Sequence, residues 1–323
     1  MLRSFLALAL LLVSPIAAHA EDAASFPSRP ITILVPFAAG GSSDVVMRIV
    51  AKVASQTLGQ PIVIENRSGA AGNIAAMVVK QAAPDGYTLM MGHTGSHAIN
   101  ATLYPDLKFD PVKDFTPIAP LISFNNVLIV PAESPAKSAA ELVALGKQKP
   151  DGLTYGSQGV GTGGHLLGVI LAKDTGIKLV HVPYRGVAPA VTDMVAARLD
   201  FMFASYLTAS PFIESGKLRM LAIAGAKRHP QIPQVPTMGE AGFPSVEMEQ
   251  WFGVFGPAGV PKPIVTKLNA ELVRALKSDA VQNALLPQGS VVIPGTPGDL
   301  AAMVARDIVR LGKLVKESGA KPE

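Results

Sequence analysis

Apolar positions along this chain switch between two periods, and the alternation marks strands and helices in turn. The β-branched run 31–35 is broken by Pro36-Phe37-Ala38-Ala39-Gly40-Gly41. Ser42, Ser43 and Asp44 then stand as candidate caps of a helix that carries Val46, Ile49, Val50 and Val53 on one face. Gly59 ends that helix, and 61–65 reads as the next strand. After the loop NRSGAAGN, a helix through Ile74, Met77 and Val78 and the turn Pro84-Asp85-Gly86 lead to a strand at 87–91. Strands and helices alternating at this spacing predict a largely parallel sheet covered on both faces.

The pattern then recurs. A strand at 153–156 enters the Gly-rich loop 157–164, followed by a short helix at 165–173, a strand at 178–182, the turn PYRGVAP and a helix at 188–197. Strands at 201–204 and 218–224 complete the repeat, and both halves carry an Arg–Gly turn after their second strand, at Arg67–Gly69 and Arg185–Gly186. Beyond Trp251 the periodicity is helical. Pro263 stands at one helix start, with Leu268, Leu272, Val273 and Leu276 as its stripe, and Leu300, Val304, Ile308, Leu311 and Val315 form another. These tail helices need a partner surface, most simply the first lobe. The expected architecture is therefore α/β with two lobes, residues 21–124 plus 253–323 and residues 125–252. Two crossings, near 124–130 and 247–255, would make a hinge.

Composition fixes the compartment more than the chemistry. Arg3, the apolar run 5–13 and Ala18-His19-Ala20 make residues 1–20 a secretory signal peptide with Glu21 as the first mature residue. The run is shorter than the ~20 residues that span a bilayer. With no Cys to carry a lipid or disulfide, a soluble periplasmic protein is expected. The 323 residues exceed one ordinary core, and 49% hydrophobic with 16% charged content describes a folded chain. The net charge of +4 is scattered, so no nucleic-acid partner is expected, and the mild positive balance suits an anionic ligand.

The informative chemistry lies in two Gly-rich loops, PFAAGGSSD and GSQGVGTGGH, each leaving a first strand and opening a helix. Helix starts offer unpaired N–H groups and a partial positive charge, and two of them facing one cleft would hold an anion. Gly159-x-Gly161-x-x-Gly164 matches a dinucleotide fingerprint formally, but the strand KLVHV lacks the acidic residue that fingerprint needs. Ser157 in YGSQG lacks the first Gly of a nucleophile elbow, and there is no thiol. His93 and His97 have i, i+4 spacing without an acidic neighbour, and His165 opens a helix where a hydrogen bond to the loop is expected. No catalytic residue, metal site or cofactor is expected. A periplasmic enzyme and a metal-binding protein stand as alternative readings.

Several segments together carry a family resemblance: PFAAGGSSDVVMR, ENRSGAAGN, APDGYTLMMG, TYGSQGVGTGGHL, HVPYRGVAPAVTDMVAARLDFMF, KLRMLAIAGAKRHPQIPQVPTMGEAG and WFGVFGPAGVP. In order and spacing, over essentially all of the mature chain, the sequence resembles the Bug family, extracytoplasmic receptors of tripartite tricarboxylate transporters. The resemblance implies a type II-like periplasmic-binding-protein fold whose lobes close over a small carboxylate, either a di- or tricarboxylate or an aromatic acid. It implies a monomer that delivers this ligand to a membrane permease. Ligand-binding positions implied in the first lobe are Phe37, Ala39, Gly40, Thr94, Ser96 and Asp44, the last either a ligand contact or only a helix cap. In the second lobe they are Ser157, Gly161, Thr162, His165, Pro183, Tyr184 and Ser205. Two positions depart from the family pattern: Val169 and Ala204 stand where acidic residues are common. Their loss is expected to disfavour ligands that carry an ammonium group.

Overall fold

The computed structural model describes residues 25–322, so the leader read at 1–20 lies outside the described residues. The strands are β1 (Ile31–Val35), β2 (Ile62–Asn66), β3 (Thr88–His93), β4 (Phe115–Pro131) and β5 (Leu153–Ser157), then β6 (Leu179–Pro183), β7 (Phe201–Ser205), β8 (Leu218–Ile223), β9 (Glu249–Pro257) and β10 (Ser290–Val292). The helices are α1 (Ser42–Leu58), α2 (Asn73–Lys80), α3 (Asn100–Leu103), α4 (Ala139–Gln148) and α5 (Gly163–Thr175). They continue as α6 (Val187–Val195), α7 (Tyr206–Glu214), α8 (Lys262–Leu276), α9 (Asp279–Leu285) and α10 (Pro297–Ser318). The strands join in the order β2-β1-β3-β9-β4-β7-β5-β6, with β8 and β10 also paired to β4.

Each half of this sheet is built on three parallel strands, β2-β1-β3 in one and β6-β5-β7 in the other. Strand β1 is apolar except for Thr32, and its packing shows why. Ile33 and Val35 pack with Leu89 and Met91 beneath α1 and α8, while Leu34 packs with Met90, Trp251 and Phe255 on the opposite face. A strand covered on both sides has no polar face to alternate with. In the second half the faces divide likewise. Leu128, Tyr155 and Phe203 lie under α4 and α5, and Val127, Met202 and Ala204 lie under α6.

The centre of the sheet departs from the sequence reading. Residues 252–257, read as the start of a helical tail, belong to β9, which is antiparallel to both β3 and β4. Strand β4 is 17 residues long, yet it contains Pro117 and Pro120, which argue against a central strand. Its pairing with β9 shifts register between Pro117 and Ala119 and again between Pro120 and Ile122, so the missing proline N–H groups fall at irregularities. Within β4 the chain changes halves in one step: Asn125 pairs with Glu249 and Asn126 pairs with Ser205. The sheet is therefore mixed, not largely parallel.

The C-terminal helix also differs from expectation. Leu300 and Val304 pack on the first half with Phe115 and Phe255, but Leu311 and Val315 pack on the second with Leu166 and Phe201. Twenty-two residues rise about 33 Å at 1.5 Å each, more than one half can cover. No helix among the described residues is long and apolar enough to cross a membrane.

A buried polar knot ties α10 to β9. The Trp251 indole Nε1 donates to Asp307 at 2.8 Å, and Arg306 and Arg310 donate to the same carboxylate at 3.0 and 3.1 Å. Burial alone would raise the Asp307 pKa, but Arg306, Trp251 and Arg310 outweigh it and hold the carboxyl below its ordinary value. Its contribution is thus present at neutral pH and lost as pH falls through that lowered pKa. Asp307→Ala strands the buried indole N–H, whereas both arginines can hydrate. A loss of about 1–3 kcal/mol in urea unfolding is expected, and Asp307→Asn, which keeps an acceptor, should lose less.

Candidate functional site

Across the junction of the two halves, the loop after β1 meets the turn after β6, and the loop after β5 meets the segment that follows α3. Ala38 N donates to Arg185 O at 2.9 Å, and the Tyr104 hydroxyl donates to Val160 O at 2.9 Å. The approach is close enough to exclude a side chain at Gly161. Its φ is +92°, and a Cβ there would lie 2.2 Å from Asn100 Oδ1. Beneath these contacts is a small cavity lined by both halves, with hydroxyl and amide side chains set among aromatic ones. From the first come Phe37, Ser42, Ser43, His93 and Thr94; from the second come Gln158, Thr162, Val187 and Ser205. Phe124, Asn126, Gln250, Trp251 and Phe252 close its back, where β4 and β9 cross.

Two helix starts open on this cavity. The N-cap of α1 is Gly41, which has no side chain to cap with, and Ser42 and Ser43 follow it, both buried. The N-cap of α5 is Thr162, whose hydroxyl donates to Gly159 O at 2.7 Å and makes no capping bond to the helix. First-turn N–H groups of both helices are therefore left for another partner. No lining residue is Asp, Glu, Lys or Arg. His93 does not supply a cation either: burial pushes its pKa down to about 4, only partly offset by the bond to Ala71 O. In the neutral ring Nδ1 accepts from Gly95 N at 3.0 Å, which leaves the Nε2 hydrogen to Ala71 O at 3.2 Å. Chemically, the cavity offers backbone donors, hydroxyls and amides to an anion, and no group set for catalysis.

Of the thirteen positions expected at the site, Phe37, Thr94, Thr162 and Ser205 border the cavity. Ala39 and Gly40 are exposed on the first turn, and Gly40 N donates to Asp44 Oδ2 at 3.0 Å. Asp44 is used structurally. Its carboxylate also accepts from Arg48 and Asn66, and Asn66 donates to Phe37 O, which locks the turn to β2. Burial opposes ionisation of Asp44, but the bonds from Arg48, Gly40 and Asn66 prevail and lower its pKa. Ser96 bonds His93 and His97; Ser157 bonds His181 Nε2 at 2.7 Å; His165 Nδ1 accepts from Gly161 N. Pro183 and Tyr184 line an outer groove with Ala70 and Ala71, and the Tyr184 hydroxyl donates to Asp193.

The two departures from the family pattern lie elsewhere. Val169 is half-buried on α5 and Ala204 is fully buried in the core, so neither borders the cavity. Their loss of acidic character does not bear directly on ligand choice, contrary to expectation. His93 and His97 do not form a metal pair: His97 is stacked on Phe255 at 4.0 Å between ring centroids. No group of three or more His, Cys, Asp or Glu is arranged for a metal ion among the described residues. The residues missed in the sequence were mainly Phe124, Asn126, Gln250 and Trp251. The signal for them was the pair of crossings, because strands that connect two halves must also wall the space between them.

A cavity between two α/β halves is the architecture of the periplasmic-binding-protein class, and the chain's relatives give it the role of a solute-binding receptor. Residues 46–320 match the tripartite tricarboxylate transporter family receptor, TctC, and the chain belongs to this TctC/Bug family. It is 33% identical to Protein BugT of Bordetella pertussis over 93% of this chain and 92% of that one. Its fold is similar to MatC from Rhodopseudomonas palustris with bound malate, at TM-score 0.87 and 38% identity over 90% of this chain and 100% of that one. It is equally similar to R. palustris Rpa4515 with adipate, at TM-score 0.89 and 37% identity over 92% and 100%.

Three buried imidazoles make stability depend on pH. Burial lowers His93 and His165 to about 4 and His97 to about 3 from the ordinary 6.5, with neighbouring His181 and His93 adding to the effect on His165 and His97. The unfolded chain takes up these protons first, so stability holds above pH 6.5 and declines as pH falls toward 4. The urea midpoint should drop between pH 6.5 and 4.5, while NMR finds all three rings neutral down to pH 5.5.

Proposed function

We propose that this protein captures a small dicarboxylate between two lobes and delivers it to the membrane permease of a tripartite transporter. The lobes of this reading are residues 21–124 plus 253–323 and residues 125–252, hinged where β4 and β9 cross. The carrying observation is that the starts of α1 and α5, neither capped by its own side chain, open on one cavity with no acidic lining residue. Each start supplies N–H donors and the positive end of a helix dipole, which suits one carboxylate apiece. The relatives with malate and adipate, both dicarboxylates, support the same chemistry. The leader at 1–20 would export the chain as a soluble periplasmic monomer.

The test is a thermal-shift and calorimetric screen of C4–C6 dicarboxylates beside monocarboxylates, tricarboxylates and aromatic acids. A dicarboxylate at 100 times its Kd should add about 2.7 kcal/mol of stability and be recovered chemically unchanged. Stabilisation by only monocarboxylates or aromatic acids would overturn the dicarboxylate assignment, and conversion of the acid would overturn the receptor role.

Closure should depend on the close contact at Gly161. Gly161→Ala places a Cβ against Asn100 and forces a left-handed residue other than glycine. Calorimetry should show at least a tenfold weaker affinity, and small-angle scattering a larger radius with saturating ligand than for the wild type. Equal values would mean that the halves need not meet there.

A further inference from the structure

We propose that Gln250 is a specificity-determining donor whose Nε2 hydrogen binds the ligand carboxylate held at the start of α5. Gln250 is 8% exposed and lines the cavity. Its Nε2 is buried without a hydrogen-bond partner. Among the described residues, two other buried side-chain atoms share that condition, His97 Nε2 and Asn100 Oδ1, but neither belongs to a residue that borders the cavity. A buried amide donor left unpaired is costly, so its retention calls for a partner that the protein itself does not supply.

The position of the amide says what that partner is. Gln250 lies against Gly163, the first residue of α5, and a Cβ on Gly163 would fall 2.1 Å from Gln250 Oε1 and 2.9 Å from Nε2. The amide therefore lies beside the first residue of α5, with Oε1 nearer to it than Nε2, at the helix end that attracts an anion. The Thr162 hydroxyl, turned away to Gly159 O, does not fill this role. The backbone of Gln250 is fixed on both sides: it pairs with Phe124 in β4, and the following Trp251 N donates to Thr94 Oγ1 at 2.8 Å. A donor on a strand at the crossing is held in place while the halves meet around the ligand. A neutral amide adds a charge-assisted bond without placing a cation in the cavity.

This inference deepens the proposed function and rests on its anion-binding site. The test compares wild type, Gln250→Leu and Gln250→Glu by calorimetry with succinate, malate and adipate, alongside urea unfolding without ligand. Leu matches the volume and removes the unpaired polar group, so the unliganded protein should be as stable as the wild type or more so. Affinity for the acid that binds best should nevertheless fall about ten- to a hundredfold, the loss of one hydrogen bond to a charged group. Gln250→Glu, which sets a carboxylate against the ligand, should weaken binding further at pH 7. Equal affinity in wild type and Gln250→Leu overturns the inference alone. A parallel loss of stability and affinity in Gln250→Leu overturns it as well, since Gln250 would then only support the fold. A wild type that binds none of the acids overturns the anion-site reading, and this inference with it.

Discussion

The antiparallel pairing of β4 with β9 is the constraint on which the rest of the molecule depends. These two strands are the central pair of the sheet, with β3 on one flank and β7 on the other. Because β4 passes from Asn125 in one half to Asn126 in the other without a loop, the halves are joined by rigid strand and not by flexible linker. Motion between them must then be absorbed by a few dihedrals at the crossing. Asn126 of β4 and Gln250 of β9 border the cavity, so the strands that connect the halves also form its back wall. Helix α10 adds a third link, anchored to β9 through Trp251 and Asp307 and packed on both cores.

In the proposed reading, the cavity would hold an anion without a fixed cation. Burying a lysine or arginine there would incur a large desolvation cost that the ligand would have to offset on every binding event. Backbone N–H groups at helix starts avoid that cost, because their orientation is set by the helices whether or not an anion is present. The neutral state of His93 follows the same logic, since its burial among Phe37 and the turn at Ala71 disfavours charge. Polarity is concentrated instead in hydroxyls and amides.

Asp44 shows how a charge close to the site is kept from opposing binding. Its carboxylate is consumed by Gly40, Arg48 and Asn66, so it stiffens the first turn, and it does not face the cavity. Asn66 then holds Phe37 O, which carries the restraint from the turn to a cavity-lining residue. Rigidity supplied in this way lowers the ordering cost when ligand arrives.

Much of this was legible along the chain, because local periodicity and turn chemistry determine strands such as β1 and β5 and the helix starts that follow them. The Gly-rich loops announced the two anion-binding ends, and segment order announced the family. Strand β9 was not legible: a short run with Trp251, Phe252, Val254 and Phe255 does not by itself distinguish strand from helix, and its pairing is with residues far away in sequence. Strand β4 was hidden by prolines whose bulges only the partner strand reveals. Side-chain direction was likewise undecided, so Ser96 and Ser157 looked like ligand contacts although each is engaged by a neighbouring histidine. The sequence alone determined the locally coded elements, such as β1, β5 and the helix starts that follow them, since those are short-range properties. Which side chains border the cavity, Gln250 and Asn126 among them, was decided only when β4 and β9 brought distant segments together.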